Sequence, residues 1–339
     1  MSTVALVALA RPTFDLACAQ ANFDSARALL QDLGATVVGP AELVMTVEDV
    51  AAVTLPEADL HILFMASFSD ASPAVELLGS VKGPILGWSM REPGEVGERL
   101  KLNSMCGVNL AAHALMDAGQ SIRHIHGNAN EPHVRAAIAD ALNGTLPAAT
   151  TPAQINAERA PQSVADEAFE WLKGKKVGAV GEAPVGFTPC LFDGPKLNSL
   201  FGLDVRQISI DNAFERISKV EPERADKAYA SALADQPSLG DVNVEQAKKV
   251  YGVEVALDDW REEDALDAIA IRCWPEFPTD LGACICSSLG RLSDRGTVTT
   301  CERDVLGAVT MLVSEALGSD ENYLVDIVDL VEKEGLLRL

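Results

Sequence analysis

Two acidic residues near the end of the sequence have types and a spacing that can support divalent-metal chemistry. Glu302 directly follows a predicted strand, 297–300, and opens a predicted helix, while Asp326 falls within the next apolar strand candidate, 323–327. Acids at adjacent strand ends can converge on one hard cation, because carboxylate oxygens suit Mn²⁺ or Mg²⁺. The pattern also fits two structural roles, a helix-dipole acid for Glu302 and a strand-end hydrogen-bond acceptor for Asp326.

The seven cysteines form no recognised metal motif. Their odd number, in a long chain without a predicted signal peptide, favours free thiols over disulfides. Four of them have the spacing Cys-x10-Cys-x-Cys-x14-Cys, which lacks the short knuckles of structural zinc sites. We therefore expect reduced and mostly buried cysteines, with Cys284 and Cys286 on one face of a turn or helix start, and no zinc cluster.

The histidines limit the mechanism, because none of the five lies beyond His133. His124 and His126 are two apart on a predicted strand, so both rings face one side and could form a metal pair, although no recognised ligand spacing follows them. A Ser-His-Asp triad has no G-x-S-x-G elbow to support it. The glycine-rich loop at 178–186 fits neither the dinucleotide nor the P-loop pattern, which favours a tight connection over a nucleotide site.

Short apolar runs that alternate with amphipathic stretches predict an α/β protein. The clearest helix has apolar residues on a 3–4 spacing from Leu16 to Leu33, with Gly34 placed to end it. Strands in βαβ alternation imply parallel sheets covered on both faces. The strand candidates are 4–9, 36–38, 61–64, 84–88, 121–126, 177–180, 205–210, 268–272, 297–300 and 323–327. The resulting division is an N-terminal α/β domain over 1–145, a linker over 146–163, a second α/β domain over 164–320, and a further segment starting at 321–339.

The composition argues against several classes of partner. Fifty acidic residues against 27 Lys and Arg give a formal net charge of −23, so attraction to nucleic acid or to an anionic membrane surface is not expected. No apolar stretch approaches the roughly 20 residues of a membrane span, and the apolar start lacks the basic region of a secretion signal. We expect a cytoplasmic protein.

Several segments, in order and spacing, resemble the L-fucose isomerase and L-arabinose isomerase superfamily of aldose–ketose isomerases. The C-terminal ones are RCWPEF, the Cys-Ser pair after residue 285, TCERDVLGA and the short apolar segment that holds Asp326; the N-terminal ones are ARPTFD, GWSMREP and NSMCGVN followed by Ala-His. The resemblance covers most of the chain. It implies two flavodoxin-like domains, each a doubly wound parallel sheet, followed by a third segment.

The resemblance also implies functional roles. Glu302 and Asp326 would be the metal ligands and the acid/base pair, with Mn²⁺ or another divalent cation such as Mg²⁺. Arg11 and Trp88 would contact the sugar from an adjacent subunit, so the chain is expected to form a homo-oligomer with a shared active site. Holding O1 and O2 of an open-chain sugar on the cation stabilises the enediolate and lets one carboxylate move the proton between carbons.

One departure from the family separates two classes of function. The family completes its metal site with a histidine far downstream, whereas this sequence ends shortly after Asp326 and has no histidine after His133. We therefore expect either a truncated isomerase whose missing segment belongs to a longer product or to a partner chain, or a non-catalytic sugar-binding or assembly subunit. A solute-binding protein would share the two α/β domains but would carry an export signal.

Overall fold

The computed structural model describes residues 2–149, 161–331 and 335–339. Its contacts divide the chain into two compact units. The first unit comprises Met1–Gln154 together with Val325–Leu339, and the second comprises Ile155–Leu324. Most of the predicted linker, 146–163, lies outside the described residues. The predicted domain boundaries at 145, 163 and 320 stay predictions.

The first unit is built on a five-stranded parallel sheet, sheet A, with the strand order β2-β1-β3-β4-β5. Its strands are β1 Thr3–Leu9, β2 Thr36–Val38, β3 Leu60–Met65, β4 Ile85–Ser89 and β5 Ile122–His126. The predicted apolar runs coincide with these strands to within about one residue at each end. The central strands are buried on both faces, which explains why they are apolar throughout instead of alternating.

Helices cover both faces of sheet A. They are α1 Leu16–Asp32, α2 Val47–Ala52, α3 Ser72–Leu78, α4 Ser104–Asp117 and α5 Pro132–Leu142. Helix α1 begins where the Asp15 carboxylate accepts the Cys18 N–H, and it buries Phe23 and Leu30 completely in the core. Complete burial of such side chains stabilises the fold by roughly 2 kcal/mol each. The helix ends at Asp32, just before Gly34 at φ +83°, as the sequence predicts.

The last residues of the chain return to the first unit as a short hairpin. Strand β10, Asp329–Val331, pairs antiparallel with β11, Leu336–Arg338. The predicted strand at 323–327 is wrong, because residues 321–328 form neither helix nor strand. An apolar run becomes a strand only where another strand pairs with it, and here the pairing starts at Asp329, opposite Arg338.

The second unit contains a four-stranded parallel sheet, sheet B, in the order β7-β6-β8-β9. Its strands are β6 Lys176–Val180, β7 Asp204–Ile208, β8 Ala268–Ile271 and β9 Val298–Thr300. Its α-helices are α6 Gln162–Leu172, α7 Gly194–Phe201, α8 Ile210–Ser218, α9 Pro222–Asp235, α10 Val244–Asp264, α11 Cys286–Asp294 and α12 Val305–Ala316. Trp260 of α10 is fully buried in the core, with Val180 and Ile269 of the sheet.

The structure confirms the predicted α/β class with parallel sheets. Sheet A has the 2-1-3-4-5 order of flavodoxin-type doubly wound folds, and sheet B repeats that order with one strand fewer. That both units are flavodoxin-like domains stays a prediction. In the part of the chain that the structure describes, every helix is too short or too polar to cross a membrane.

Candidate functional site

The carboxyl ends of parallel strands are where α/β folds of this type bind ligands, especially where the strand order reverses. In sheet A the order reverses between β1 and β3. Arg11 lies there, two residues after β1. Its backbone N–H donates to Ser67 Oγ at 3.0 Å and its Nη2 donates to Asp70 Oδ2 at 2.8 Å, both on the loop after β3. The predicted substrate residue Arg11 therefore has a fixed position, and Asp70 offsets its charge.

Trp88, the other predicted substrate residue, lies in the core of the first unit. Its indole is fully buried, Nε1 donates to the carbonyl of Gly127 at 2.8 Å, and the ring meets the edge of Phe64 at a centroid distance of 5.1 Å. A buried tryptophan on a sheet strand commonly packs edge-to-face against another ring and donates its indole N–H to a backbone carbonyl. The predicted stacking of Trp88 on a sugar finds no exposed ring surface in this structure.

A buried carboxylate shapes the loop between β4 and α4. Glu92 accepts backbone N–H groups from Lys101 at 2.5 Å, Leu102 at 3.1 Å and Asn103 at 2.7 Å. These bonds hold Asn103 at φ +46°, a left-handed conformation that asparagine tolerates better than most residues. Asn103 Nδ2 then donates to Asp326 Oδ2 at 3.1 Å. The predicted ligand Asp326 is thus exposed but tied to the carboxyl edge of sheet A.

Asp329 fixes the segment that carries Asp326. Its Oδ1 lies 2.6 Å from His126 Nε2, its Oδ2 accepts the Glu92 N–H at 3.1 Å, and Arg91 Nη1 is 3.4 Å away. Burial alone would raise the pKa of Asp329, but the hydrogen bond and charge of His126 together with two backbone N–H groups outweigh it, so this pKa is lowered. Arg338 on β11 adds donors to the Glu92, Gly94 and Glu95 carbonyls.

The two histidines of β5 share one hydroxyl. Ser89 Oγ lies 2.8 Å from His124 Nε2 and 2.8 Å from His126 Nδ1. With its other ring nitrogen on Asp329, His126 has both nitrogens engaged in the protein. This arrangement gives His126 a structural role, and the geometry offers no support for the alternative that His124 and His126 form a metal pair.

At the carboxyl edge of sheet B, Glu302 sits in an unusual turn between β9 and α12. Glu302 and Arg303 have φ +58° and +57°, in the left-handed region that costs L-residues roughly 1–2 kcal/mol each. The Arg303 N–H donates to the Ile271 carbonyl of β8 at 2.9 Å, and Asp304 caps α12 by accepting the Gly307 N–H at 2.7 Å. Helix α12 therefore starts after Glu302, so the helix-dipole role considered for this residue is wrong.

Two thiols border the Glu302 carboxylate. Cys273, two residues after β8, has its Sγ 3.7 Å from Glu302 Oε1 and accepts the Glu302 N–H at 3.4 Å. Ligand atoms of Cys273, Cys301 and Glu302 all lie within 4.8 Å of one another. The hydrogen bond between the two thiols, burial and the neighbouring Glu302 charge together raise the pKa of Cys273. These effects favour the neutral thiol form of Cys273.

The sequence held an unused signal for this thiol pair. Cys273 and Cys301 each follow a strand within two residues, and β8 and β9 are parallel neighbours with Ala270 opposite Thr300. All seven cysteines are free, as predicted. The expectation that the cysteines are mostly buried is wrong, since Cys190 alone among the seven is buried and Cys284 and Cys286 are exposed.

Arg303 is a buried cation next to Glu302. Its guanidinium stacks 4.8 Å above the Phe192 ring, and Nη2 lies 3.4 Å from Gln207 Oε1 and 3.7 Å from the exposed Glu182 carboxylate. Nε has no hydrogen-bond partner within the described part of the chain. Burial lowers the pKa of Arg303. The side chain borders a groove of about 620 Å³ between α7 and β7 that could admit a small anion.

Neither unit by itself groups three oxygen donors of the kind that Mn²⁺ prefers, among the residues that the structure describes. Among the residues that the structure describes, one group of three potential ligands lies close enough to share an ion, and two of its donors are sulfur. Mn²⁺ and Mg²⁺ prefer oxygen, whereas thiolates select softer cations. Glu302 belongs to the second unit and Asp326 to the first, so their shared cation stays a prediction.

Comparison with known proteins gives a consistent result along the chain. No family model matches it. The sequence is 28% identical to a sulfoquinovose isomerase from Priestia aryabhattai over 346 residues, covering 98% of this chain and 71% of that protein. A sulfoquinovose isomerase from Alkalicoccus urumqiensis is 29% identical over 344 residues, covering 99% of this chain and 72% of that protein. These relatives support the predicted sugar isomerase, and the chain is similar to sulfoquinovose isomerases over nearly its whole length.

Proposed function

We propose that this protein is an aldose–ketose isomerase whose substrate is a sulfonated aldose of the sulfoquinovose type. The observation that carries the proposal is the similarity to sulfoquinovose isomerases over 98–99% of this chain. The resemblance to the L-fucose and L-arabinose isomerases, carried by separate sequence segments, supports the same type of reaction. Both lines of support favour an enzyme over a non-catalytic sugar-binding subunit.

Glu302 is the proposed acid/base residue. Aldose–ketose isomerisation removes a proton from C2 of the open-chain sugar and returns it to C1, with an enediol between the two steps. A positioned carboxylate performs such transfers. Glu302 is half-buried, and a strained turn fixed by a hydrogen bond to β8 holds it at the carboxyl edge of sheet B. Strain of this kind persists where the surrounding structure enforces it, and it is common at functional sites.

Arg303 is the proposed partner of the sulfonate. A sulfonate oxygen accepts hydrogen bonds from guanidinium N–H groups, and such charge-assisted bonds are about twice as strong as neutral ones. Arg303 Nε is buried and lacks a partner in the described structure, and its counter-charge, Glu182, is exposed and 3.7 Å away. Arg11 is less suited to this task, because Asp70 pairs with it at 2.8 Å; its proposed role is to donate to sugar hydroxyls.

A divalent cation, Mn²⁺ or Mg²⁺, belongs to the proposal through the family resemblance, with Glu302 and Asp326 as its carboxylate ligands. Bound there, it would polarise the sugar oxygens at C1 and C2. The proposed assembly is a homo-oligomer in which Arg11 serves a neighbouring subunit.

The decisive experiment is an isomerisation assay in D₂O, followed by NMR. Sulfoquinovose, glucose, L-fucose and L-arabinose would each be incubated with the protein, after EDTA treatment and again after Mn²⁺ is restored. We expect ketose formation and solvent deuterium at the exchanging carbon with sulfoquinovose, and a much slower reaction with glucose. The proposal would be contradicted if none of the four sugars were converted and none exchanged hydrogen with the solvent. Saturable sugar binding without exchange would instead favour the non-catalytic subunit.

A further inference from the structure

The carboxyl ends of β8 and β9 bring two thiols and one carboxylate together within the second unit. Cys273 Sγ is 3.7 Å from Glu302 Oε1, and the two Sγ atoms and a Glu302 carboxylate oxygen all lie within 4.8 Å of one another. All three residues are half-buried, so a small ion can reach them and a water molecule can accompany it. Strand pairing between β8 and β9 and the turn at Glu302 hold the backbones that carry them.

The spacing of these atoms agrees with that of a tetrahedral zinc site. Zinc binds thiolate at about 2.3 Å and carboxylate oxygen at about 2.0–2.2 Å, which puts two tetrahedral ligands about 3.5–3.8 Å apart. The distance of 3.7 Å between Cys273 Sγ and Glu302 Oε1 falls within that range. The separation of Cys301 Sγ from the other two donors is at most 4.8 Å, so it exceeds the tetrahedral spacing by no more than about 1 Å.

We propose that Cys273, Cys301 and Glu302 bind one thiophilic divalent cation such as Zn²⁺, with water at the fourth position. Binding replaces two S–H bonds by two metal–sulfur bonds and releases two protons to solvent, with no change in oxidation state. Two sulfur donors make this site prefer Zn²⁺ over Mn²⁺. One consequence rests on the proposed function. Because Zn²⁺ would bind the Glu302 carboxylate that moves the proton, we expect Zn²⁺ to inhibit the isomerase.

Cobalt titration of the reduced, full-length protein under anaerobic conditions tests the site directly. Thiolate ligands give Co²⁺ an intense near-ultraviolet charge-transfer band that oxygen and nitrogen ligands do not give. We expect this band to saturate at one equivalent and to disappear when Zn²⁺ is added. Cys273→Ser and Cys301→Ser should each lose most of the band, whereas Glu302→Gln should keep it and bind more weakly. Cys18→Ser, in the first unit, and Cys284→Ser, on the surface of the second, serve as matched controls that keep the full band.

A second measurement on the unmodified protein guards against variants that fail to fold. Alkylation followed by peptide mass spectrometry should show that one equivalent of Zn²⁺ protects Cys273 and Cys301 and leaves Cys284 reactive. Absence of a thiolate band, or protection at other cysteines only, overturns the proposed site. Because neither measurement uses a sugar, a protein that binds Zn²⁺ here but isomerises nothing keeps this site and loses the proposed function.

Discussion

At the carboxyl edge of sheet A, charged side chains are buried in pairs, whereas at the corresponding edge of sheet B a carboxylate is surrounded by thiols. Asp329 contacts His126 and Arg91, and Glu92 is satisfied by three backbone N–H groups. Glu302 instead has Cys273 and Cys301 beside it. Both edges terminate parallel strands, so the chemistry differs through the residues that end or follow those strands and, at sheet A, through the hairpin that carries Asp329.

The difference between the two edges separates a structural task from a chemical one. Pairing and hydrogen bonding offset the desolvation cost of buried charged groups, as they do for Asp329. A half-buried carboxylate with two thiols beside it offers donor atoms to a substrate proton or a cation. The first edge therefore fixes a chain segment, and the second offers reactive donors. Four substitutions or conditions test this division.

The largest expected effect is on catalysis. Glu302→Gln should lower the turnover of sulfoquinovose by about 10²–10⁴-fold, because an amide cannot accept the sugar proton. Asp326→Asn should also lower the turnover strongly, because the proposed function makes Asp326 a ligand of the divalent cation. The matched control is Glu315→Gln on α12, which should retain activity. Steady-state kinetics would contradict the assignment if Glu302→Gln kept more than about a tenth of the wild-type turnover.

A stability effect is expected at the other edge. Asp329→Ala removes the acceptor of His126 Nε2 and of the Glu92 N–H, both buried, and it should cost about 1–3 kcal/mol of unfolding free energy for each donor left without an acceptor. Urea unfolding measures the loss, and hydrogen exchange should place it in β4, β5 and the terminal hairpin. Asp204→Ala removes an exposed ion pair with Arg206 and should cost no more than about 1 kcal/mol. Equal losses in the two variants would remove the distinction between paired buried charge and surface charge.

The same carboxylate predicts a pH dependence. The pKa of Asp329 lies below its ordinary value of 3.8 in the folded protein, so the unfolded chain binds the proton more tightly. Its contribution is therefore fully present above about pH 4 and is lost as the pH falls through the lowered folded pKa. The stability difference between wild type and Asp329→Asn should shrink below pH 4. A difference that stayed constant down to pH 2.5 would show that the carboxylate charge is not what matters.

The smallest expected effect is a gain in the second unit. Ala265 ends α10 at φ +50°, a left-handed conformation that glycine adopts without a Cβ clash. Ala265→Gly should stabilise the second unit by about 0.5–1 kcal/mol. Hydrogen exchange should slow in α10 and β8 and remain unchanged in sheet A. Destabilisation would mean that the entropy glycine adds to the unfolded chain costs more free energy than the relieved backbone strain returns.

Much of the fold follows from local patterns in the sequence. Apolar runs locate the central strands, such as β1, β3 and β8, because buried parallel strands need apolar residues on both faces. The strand predicted at 323–327 fails because local hydrophobicity does not specify a pairing partner, and the actual hairpin pairs Asp329 with Arg338. The polar network that holds this hairpin joins residues over 200 positions apart, beyond the reach of any local pattern.

The candidate site was only partly predictable. The position of Glu302 could be predicted because an acid that follows a strand is a recognisable signal. Its left-handed backbone conformation could not be predicted, since glutamate rarely adopts it. The thiols beside it escaped notice because Cys273 and Cys301 are 28 residues apart and meet through strand pairing. Trp88 looked suitable for stacking on a sugar, but residue type alone does not distinguish an exposed indole from one buried in the core.

The chain enters the second unit after Gln154 and returns to the first at Val325, so the first unit is discontinuous in sequence. During synthesis on the ribosome, the helices and strands of the first unit emerge before the hairpin that carries Asp329 and Arg338. The contacts of His126, Arg91 and Glu92 with residues 329–338 therefore form only after about 170 intervening residues are translated, a delay on the order of 10 s or more at ordinary elongation rates. A nascent chain arrested before residue 325 should consequently be open to proteolysis at β5, and emergence of residues 325–339 should protect that strand.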